Sequence, residues 1–86
     1  MTIQDAIKIA ELERGSKVVG AGDCGDKWMF TFEADVNKTD GWVLFVNKKN
    51  GKVNFVLPVL FVESLARGEI TCTNVDLDGV DKNEND

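Results

Sequence analysis

Residues 40–58, DGWVLFVNKKNGKVNFVLP, decide the fold that the sequence predicts. In this stretch the apolar segment WVLFV (42–46) is followed by the polar segment NKKNG (47–51) and then by KVNFV (52–56). Asn-Gly between two segments rich in β-branched and aromatic residues is a strong short-range signal for a β-hairpin. The stretch therefore predicts two antiparallel strands joined by a polar turn.

The first of these strands is apolar on both faces. Side chains alternate along a strand, so Trp42, Leu44 and Val46 share one face, while Val43 and Phe45 share the other. A strand of this kind needs cover on both faces. Two interpretations follow: the sheet is packed on both sides, or part of the run is exposed and contacts a partner protein. On the second interpretation, Trp42 and Phe45 are candidate partner-binding residues.

The polar turn carries a lysine pair, Lys48 and Lys49, with Lys52 just beyond the Asn-Gly. Hairpin turns favour polar residues whatever the function, so the turn alone explains the pair. The functional interpretation is a contact with an acidic protein surface, where such charges mainly affect orientation and association rate. Lys48 and Lys49 are therefore further candidate partner-binding residues.

A helix and a second hairpin are predicted before this stretch. The helix spans Ile3–Arg14, with Thr2 as its N-cap, Asp5 near its positive end and Gly15 as its C-cap. Its apolar residues form one stripe: Ile3, Ala6, Ile7 and Ala10. The segment KVVGAGDCGDKWMFTFEAD (17–35) predicts the hairpin, whose second arm alternates in the manner of a half-buried strand. ADVNKTDG (34–41) follows as a loop.

A short second helix is predicted over Val59–Arg67, begun by Pro58 and ended by Gly68, although its first half is also strand-like. EITCTNVDL (69–77) is a possible last strand. The order αββββαβ predicts an α+β fold: an N-terminal helix packed on a mostly antiparallel sheet of four to five strands, with a short second helix. Residues 1–75 are expected to form a single domain, and the acidic residues 76–86 a disordered tail.

The net charge of −5 is concentrated at the C-terminus. Residues 1–75 carry nine Lys/Arg and ten Asp/Glu, whereas residues 76–86 carry one lysine and five acids. A near-neutral body lacks the clustered cations of nonspecific nucleic-acid binding, so we expect no nucleic-acid partner. No apolar run approaches the ~20 residues of a membrane helix, and the N-terminus lacks a secretory pattern. We therefore expect a cytoplasmic protein without a membrane partner.

The two cysteines, Cys24 and Cys72, could form one disulfide, but two reduced thiols are expected in a protein without an export signal. The sequence leaves open whether they lie close in space. The chain has no histidine and no Cys-x-x-Cys pair, so neither a zinc site nor a cofactor is expected. Both cysteines are interpreted as small packing residues.

No catalytic residue is predicted. The absence of histidine removes the commonest general base. Two carboxylate pairs, Asp23 with Asp26 and Asp35 with Asp40, flank a turn and a loop, where acids are ordinary turn formers. The sequence therefore predicts a protein that is not an enzyme.

Calcium binding is the remaining chemical alternative. NVDLDG (74–79) resembles the start of an EF-hand loop, but the twelfth position is Asn85 rather than a bidentate glutamate. DVNKTDG (35–41) also offers oxygen ligands, but its glycine falls one place late. A solvated acidic segment explains both, so no metal-binding residue is assigned.

Three segments, IQDAIKIAELE (3–13), KWMFTF (27–32) and GWVLFVNKKNGKV (41–53), together resemble small bacterial α+β proteins of the immunity-protein type and PepSY-type modules. In both, an N-terminal helix precedes an antiparallel sheet. The resemblance covers residues 3–55 and implies a non-catalytic binder that neutralises a toxin or inhibits a peptidase. The chain is also similar to short uncharacterised proteins of gut bacteria and their phages, for which no activity is implied.

These observations favour a protein-interaction module, of immunity or inhibitor type, that binds another protein. The alternative is a structural homodimer that uses the same apolar strand symmetrically. A weak calcium-binding or small enzymatic protein is a third hypothesis, which the residues favour less.

Overall fold

The computed structural model describes residues 1–36 and 41–77, and its element order confirms the predicted α+β fold. The helices are α1 (Ile3–Arg14) and α2 (Pro58–Ala66), and one 3-10 turn spans Glu33–Asp35. The strands are β1 (Val18–Asp23), β2 (Lys27–Phe32), β3 (Val43–Asn47), β4 (Val53–Val56) and β5 (Thr73–Asn74). They form one antiparallel sheet in the order β4-β3-β2-β1-β5.

Two predicted segments fall partly outside the described residues. The centre of the loop between β2 and β3, residues 37–40, is one of them, and the predicted disordered tail from residue 78 onward is the other. Among the helices that the structure does describe, none has the length and apolar character needed to cross a membrane.

The capping residues of α1 make the contacts that the sequence predicts. Thr2 Oγ1 accepts a hydrogen bond from the backbone N–H of Asp5, and the Asp5 carboxylate accepts one from the backbone N–H of Thr2. This backbone hydrogen bond lowers the pKa of Asp5 below its ordinary value. Gly15 ends the helix in the left-handed conformation, with φ 70°. Ala6 and Ala10 are fully buried, which lets α1 lie close against the sheet.

The sheet carries one apolar cluster on each face, and β3 contributes to both. Leu44 and Val46 belong to the cluster beneath α1. Val43 and Phe45 belong to the opposite cluster, where α2 contributes Phe61. The two-sided packing that the sequence allowed is therefore confirmed for Val43–Val46, all of which are buried.

The turn between β3 and β4 is a four-residue loop, Lys48–Gly51. The backbone N–H of Asn47 donates to the carbonyl of Lys52 at 2.9 Å, and the N–H of Gly51 donates to the carbonyl of Asn47 at 2.9 Å. Gly51 is left-handed, with φ 71°, whereas no non-glycine residue in the described ranges has a positive φ. The Asn-Gly signal therefore predicts the hairpin correctly, and the glycine alone supplies the left-handed position.

The segment after β4 is a helix, which settles the question that the sequence left open. Pro58 is in the first turn of α2, where its missing N–H costs nothing and its fixed φ favours the helix. The helix ends at Ala66, and Gly68 follows with φ 73°. The possible last strand is shorter than predicted, because only Thr73–Asn74 pairs with the end of β1.

The expectation of two reduced thiols is wrong, because Cys24 and Cys72 form a disulfide. Cys24 lies between β1 and β2, and Cys72 immediately precedes β5, so tertiary packing joins residues 48 positions apart. Cys24 is also buried in the cluster beneath α2, and Cys72 packs against it, as their interpretation as packing residues requires. The bond fastens β5, which pairs through only two residues, to the rest of the sheet.

Replacing both cysteines by alanine, Cys24→Ala with Cys72→Ala, should lower the free energy of unfolding by about 3–4 kcal/mol. The reason is that a disulfide closing a loop of this length restricts the unfolded chain. Urea unfolding followed by tryptophan fluorescence measures the change. Reductant should lower the midpoint of the wild type and leave that of the double variant unchanged. Equal midpoints for the oxidised and reduced wild type would contradict a stabilising disulfide.

Candidate functional site

Trp42 and Phe55 form an exposed aromatic pair on the α1 side of the sheet, which we call the Trp42–Phe55 patch. Their ring centroids are 6.0 Å apart and their planes meet at 78°, an edge-to-face arrangement. Phe55 lies opposite Leu44 in the register of β3 and β4, so its side chain is on the face that α1 covers. Leu44 is fully buried, whereas Trp42 is 43% exposed and Phe55 is 41% exposed. The cover that α1 provides therefore ends before it reaches this pair.

An ion pair fixes the last turn of α1 beside the patch. Glu13 and Arg14 line a shallow depression together with Trp42 and Phe55. The Arg14 guanidinium donates from Nη2 to Asp35 Oδ1 at 2.6 Å and from Nε to Asp35 Oδ2 at 3.0 Å. These hydrogen bonds raise the pKa of Arg14 above its ordinary value. The charge of Arg14 is therefore compensated within the protein, and the patch is mainly an aromatic surface.

Gly41 allows the chain to pass close to this ion pair just before Trp42. A Cβ atom at position 41 would lie 2.6 Å from Asp35 Cβ, which is far closer than van der Waals contact. A side chain at this position would therefore force either Asp35 or the start of β3 to move. The glycine thus helps to hold Trp42 where its ring meets Phe55.

Lys48 is directed toward the β1–β2 turn. Its Nζ donates a hydrogen bond to Asp23 Oδ1 at 2.8 Å and lies 5.2 Å from the centre of the Trp28 ring. Its backbone N–H donates to the carbonyl of Asp26 at 3.1 Å. Hydrogen bonds from Lys48, and then from the backbone of Gly25, lower the pKa of Asp23 below its ordinary value. Lys48 therefore connects the turns of the two hairpins.

Lys49 is more exposed than Lys48. Its backbone N–H donates to Asn47 Oδ1 at 2.8 Å, which orders the turn. Lys49 as a residue is exposed, whereas Lys48 is only partly so. Of the two lysines, Lys49 is therefore the one whose position suits contact with another molecule.

Phe45 lies on the opposite side of the sheet from Trp42. Its ring is 5.7 Å from that of Phe61, with the two planes at 61°, and Lys27 Nζ lies 5.2 Å from its centre. Only 8% of Phe45 is exposed, so nearly all of its surface is already in contact with α2 and the sheet. The structure therefore separates the predicted partner-binding residues into three places rather than one surface.

Phe55 is part of the Trp42–Phe55 patch, although the sequence did not mark it as a candidate partner-binding residue. Its alternation with Asn54 placed it on one face of a strand but did not say which face α1 would leave open. That depends on the position of β4 at the edge of the sheet and on the end of α1 at Arg14. The one sequence feature that pointed to this pair was that Trp42 and Phe55 lie in the two apolar segments of the same predicted hairpin.

The acidic residues considered for calcium binding have other arrangements. Asp35 accepts both hydrogen bonds from Arg14, and two further oxygen-bearing residues of DVNKTDG (35–41), Asn37 and Asp40, lie outside the described residues. In the EF-hand-like segment, Asp78 and Gly79 also lie outside them. Within residues 1–36 and 41–77, no group of three or more His, Cys, Asp or Glu side chains is placed to hold a metal ion.

Comparison of the chain with protein-family models, with curated proteins and with solved structures gives no match. Its class is therefore given by architecture: a small α+β protein whose five-stranded antiparallel sheet has a helix on each face.

Lys48→Met should destabilise the protein at pH 7 more than Lys49→Met, although both variants remove one positive charge from the same turn. Only Lys48 binds Asp23. Because the folded-state pKa of Asp23 lies below its unfolded value of about 3.9, the contact stabilises the fold above that pH. Its contribution is lost as the pH falls through the lower, folded-state pKa.

Urea midpoints of the wild type and both variants, measured from pH 7 to pH 2.5, check this prediction. The difference between the wild type and Lys48→Met should shrink below about pH 4, where Asp23 becomes protonated. If the urea midpoint of Lys48→Met lies below that of the wild type by the same amount at every pH, Lys48 acts through packing on Trp28 rather than through Asp23.

Proposed function

We propose that this protein is a non-catalytic protein-interaction module that binds its partner through the Trp42–Phe55 patch. The observation that carries the proposal is that two packed aromatic rings, each about two-fifths exposed, lie beside a helix that buries their neighbours. Aromatic residues are enriched in the parts of interfaces that contribute most binding energy. The rings are held in place by each other, so binding would order few additional side chains.

The ionisable groups near the patch support a binding role over a catalytic one. Beside the patch, Arg14 and Asp35 neutralise each other. The chain contains no histidine. The carboxylate that lines the depression, Glu13, is exposed, whereas an acid–base pair works in a cleft that excludes water. The proposal that the protein is not an enzyme rests on this chemistry.

An immunity- or inhibitor-type role is the finer form of the proposal. It is supported by the resemblance of residues 3–55 to immunity-type and PepSY-type proteins, which implies a toxin or a peptidase as the partner and a bacterial or phage source. Lys49, exposed at the end of the β3–β4 hairpin, would then orient an acidic partner. Phe45 and Lys48 stay predicted partner contacts, but their surfaces are largely occupied by Phe61 and Asp23.

The cytoplasmic location is a separate proposal. The Cys24–Cys72 disulfide opposes it, because reducing compartments keep such thiols unpaired. Alkylation of the free thiols in intact cells, before lysis, measures the redox state of the two cysteines. Reduced cysteines would support a cytoplasmic location, and oxidised cysteines would place the protein in an oxidising compartment.

Trp42→Ala should weaken partner binding by roughly tenfold or more, because a central aromatic residue usually contributes that much to an interface. The partner is first captured from a native lysate of the source organism on the immobilised wild-type protein and then purified. Calorimetry then compares the wild type, Trp42→Ala and Phe55→Ala.

The matched control is Leu12→Ala, which removes an exposed apolar side chain from α1. This control should bind the partner as the wild type does, and circular dichroism should show that all variants are folded. A captured protein that binds Trp42→Ala and Phe55→Ala with wild-type affinity would rule out the patch as the binding site.

A further inference from the structure

β4 is an edge strand, and one side of its backbone has no strand partner among the described residues. The backbone N–H of Asn47 donates to the carbonyl of Lys52. Because hydrogen-bonded positions alternate along an antiparallel strand, the backbone groups of Asn54 and Val56 also pair with β3. The backbone N–H and C=O groups of Val53 and Phe55 consequently point away from the sheet. These groups are arranged to pair with another extended chain.

We infer that this edge pairs antiparallel with β4 of a second copy of the protein, joining two five-stranded sheets into one. The inference goes beyond the proposed function, since it concerns a different surface and a different partner. The register that satisfies the outward backbone groups places Val53 opposite the partner's Phe55 and Asn54 opposite the partner's Asn54. Asn54 is exposed, so its carboxamide is free to meet an identical carboxamide across the twofold axis.

The segment that forms the β4 edge carries none of the charges that would oppose a second copy. The net charge of −5 lies mainly in residues 76–86, and residues 1–75 are near neutral. Residues 53–62, which include β4 and the start of α2, carry no charge at all. The acidic segment begins at Asp76 and Leu77, which lie beside β1 toward the opposite edge of the sheet. Within the described residues, pairing of two β4 strands would therefore set no like charges opposite each other.

The limits of β4 also fix the size of the contact. The strand is four residues long, bounded by the turn at Gly51 and by Pro58, which has no N–H to donate. Twofold pairing uses the same edge of both copies, so it closes a dimer and leaves no further β4 edge. Because the contact is far smaller than the roughly 20–30 residues a side of a stable interface, we expect dissociation constants in roughly the micromolar to millimolar range.

This pairing would also change the surface available to a partner protein. A twofold axis perpendicular to the sheet keeps both α1 helices on the same side. The Trp42–Phe55 patches of the two copies then lie on that side, near the seam, with Phe55 beside the partner's Val53. The dimer would thus present the patch twice, which would strengthen binding to a divalent partner.

Charge substitutions at Asn54 test the inference. Asn54→Asp and Asn54→Lys each place two like charges opposite each other in the dimer, so each should weaken self-association by about tenfold. An equimolar mixture of the two variants should associate again, because opposite charges then meet. Sedimentation equilibrium from 10 µM to 1 mM protein measures the association. The exposed Thr71 provides the control pair, Thr71→Asp and Thr71→Lys, which should associate as the wild type does.

A wild-type protein that is strictly monomeric at 1 mM would overturn the inference. Association that both Asn54 variants retain would also overturn it, since the contact would then lie elsewhere. Neither result would affect the proposed function, which depends on the binding of a partner protein and on its loss in Trp42→Ala. Conversely, Asn54→Asp should still bind one partner molecule per chain, because Asn54 lies on the sheet face opposite the Trp42–Phe55 patch.

Discussion

The central constraint in this protein is that β3 is buried on both faces. Four consecutive residues, Val43–Val46, each lose nearly all contact with water, and burial of such a side chain contributes on the order of 2 kcal/mol. One sheet face requires α1, and the other requires α2 with Phe61. The segment after α2 adds to this cover, because Val75 and Leu77 pack on the α1 side and Ile70 and Cys72 on the α2 side. Trp42 and Phe55 stay exposed where the cover of α1 ends.

Local patterns were sufficient to predict most of the architecture. The capping residues of α1, the alternation in β2 and the Asn-Gly before β4 each act within a few residues, so they can be recognised without knowing the rest of the fold. Pro58 was more ambiguous, because apolar residues surround it and fit either a strand or a helix. The helix prevails because a proline cannot donate to a β-ladder but is well placed in a first helical turn.

The pairings between residues far apart in the sequence were not predicted, and they include the disulfide and the Lys48–Asp23 ion pair. The partner of Cys24 lies 48 positions away, and that of Lys48 lies across two hairpins at Asp23. The expectation of reduced thiols came from the supposed compartment, which says nothing about distance in the fold. Of the four predicted contact residues, Trp42 and Lys49 are on the surface, while Phe45 packs against Phe61. Sequence alternation shows which residues share a face, but it does not show where a covering helix ends.

The disulfide has a mechanical consequence. Cys24 and Cys72 enclose β2, β3, β4 and α2 within one covalent loop, while α1 and β1 lie before it. If the protein is pulled from its two ends, tension passes directly across the sulfur–sulfur bond, and the enclosed segment bears none of it. About 48 residues, with a contour length of roughly 160 Å, are thereby shielded from extension. The hairpin of β3 and β4 would therefore not be extended by the pull, although removal of α1 would expose Leu44 and Val46 to water.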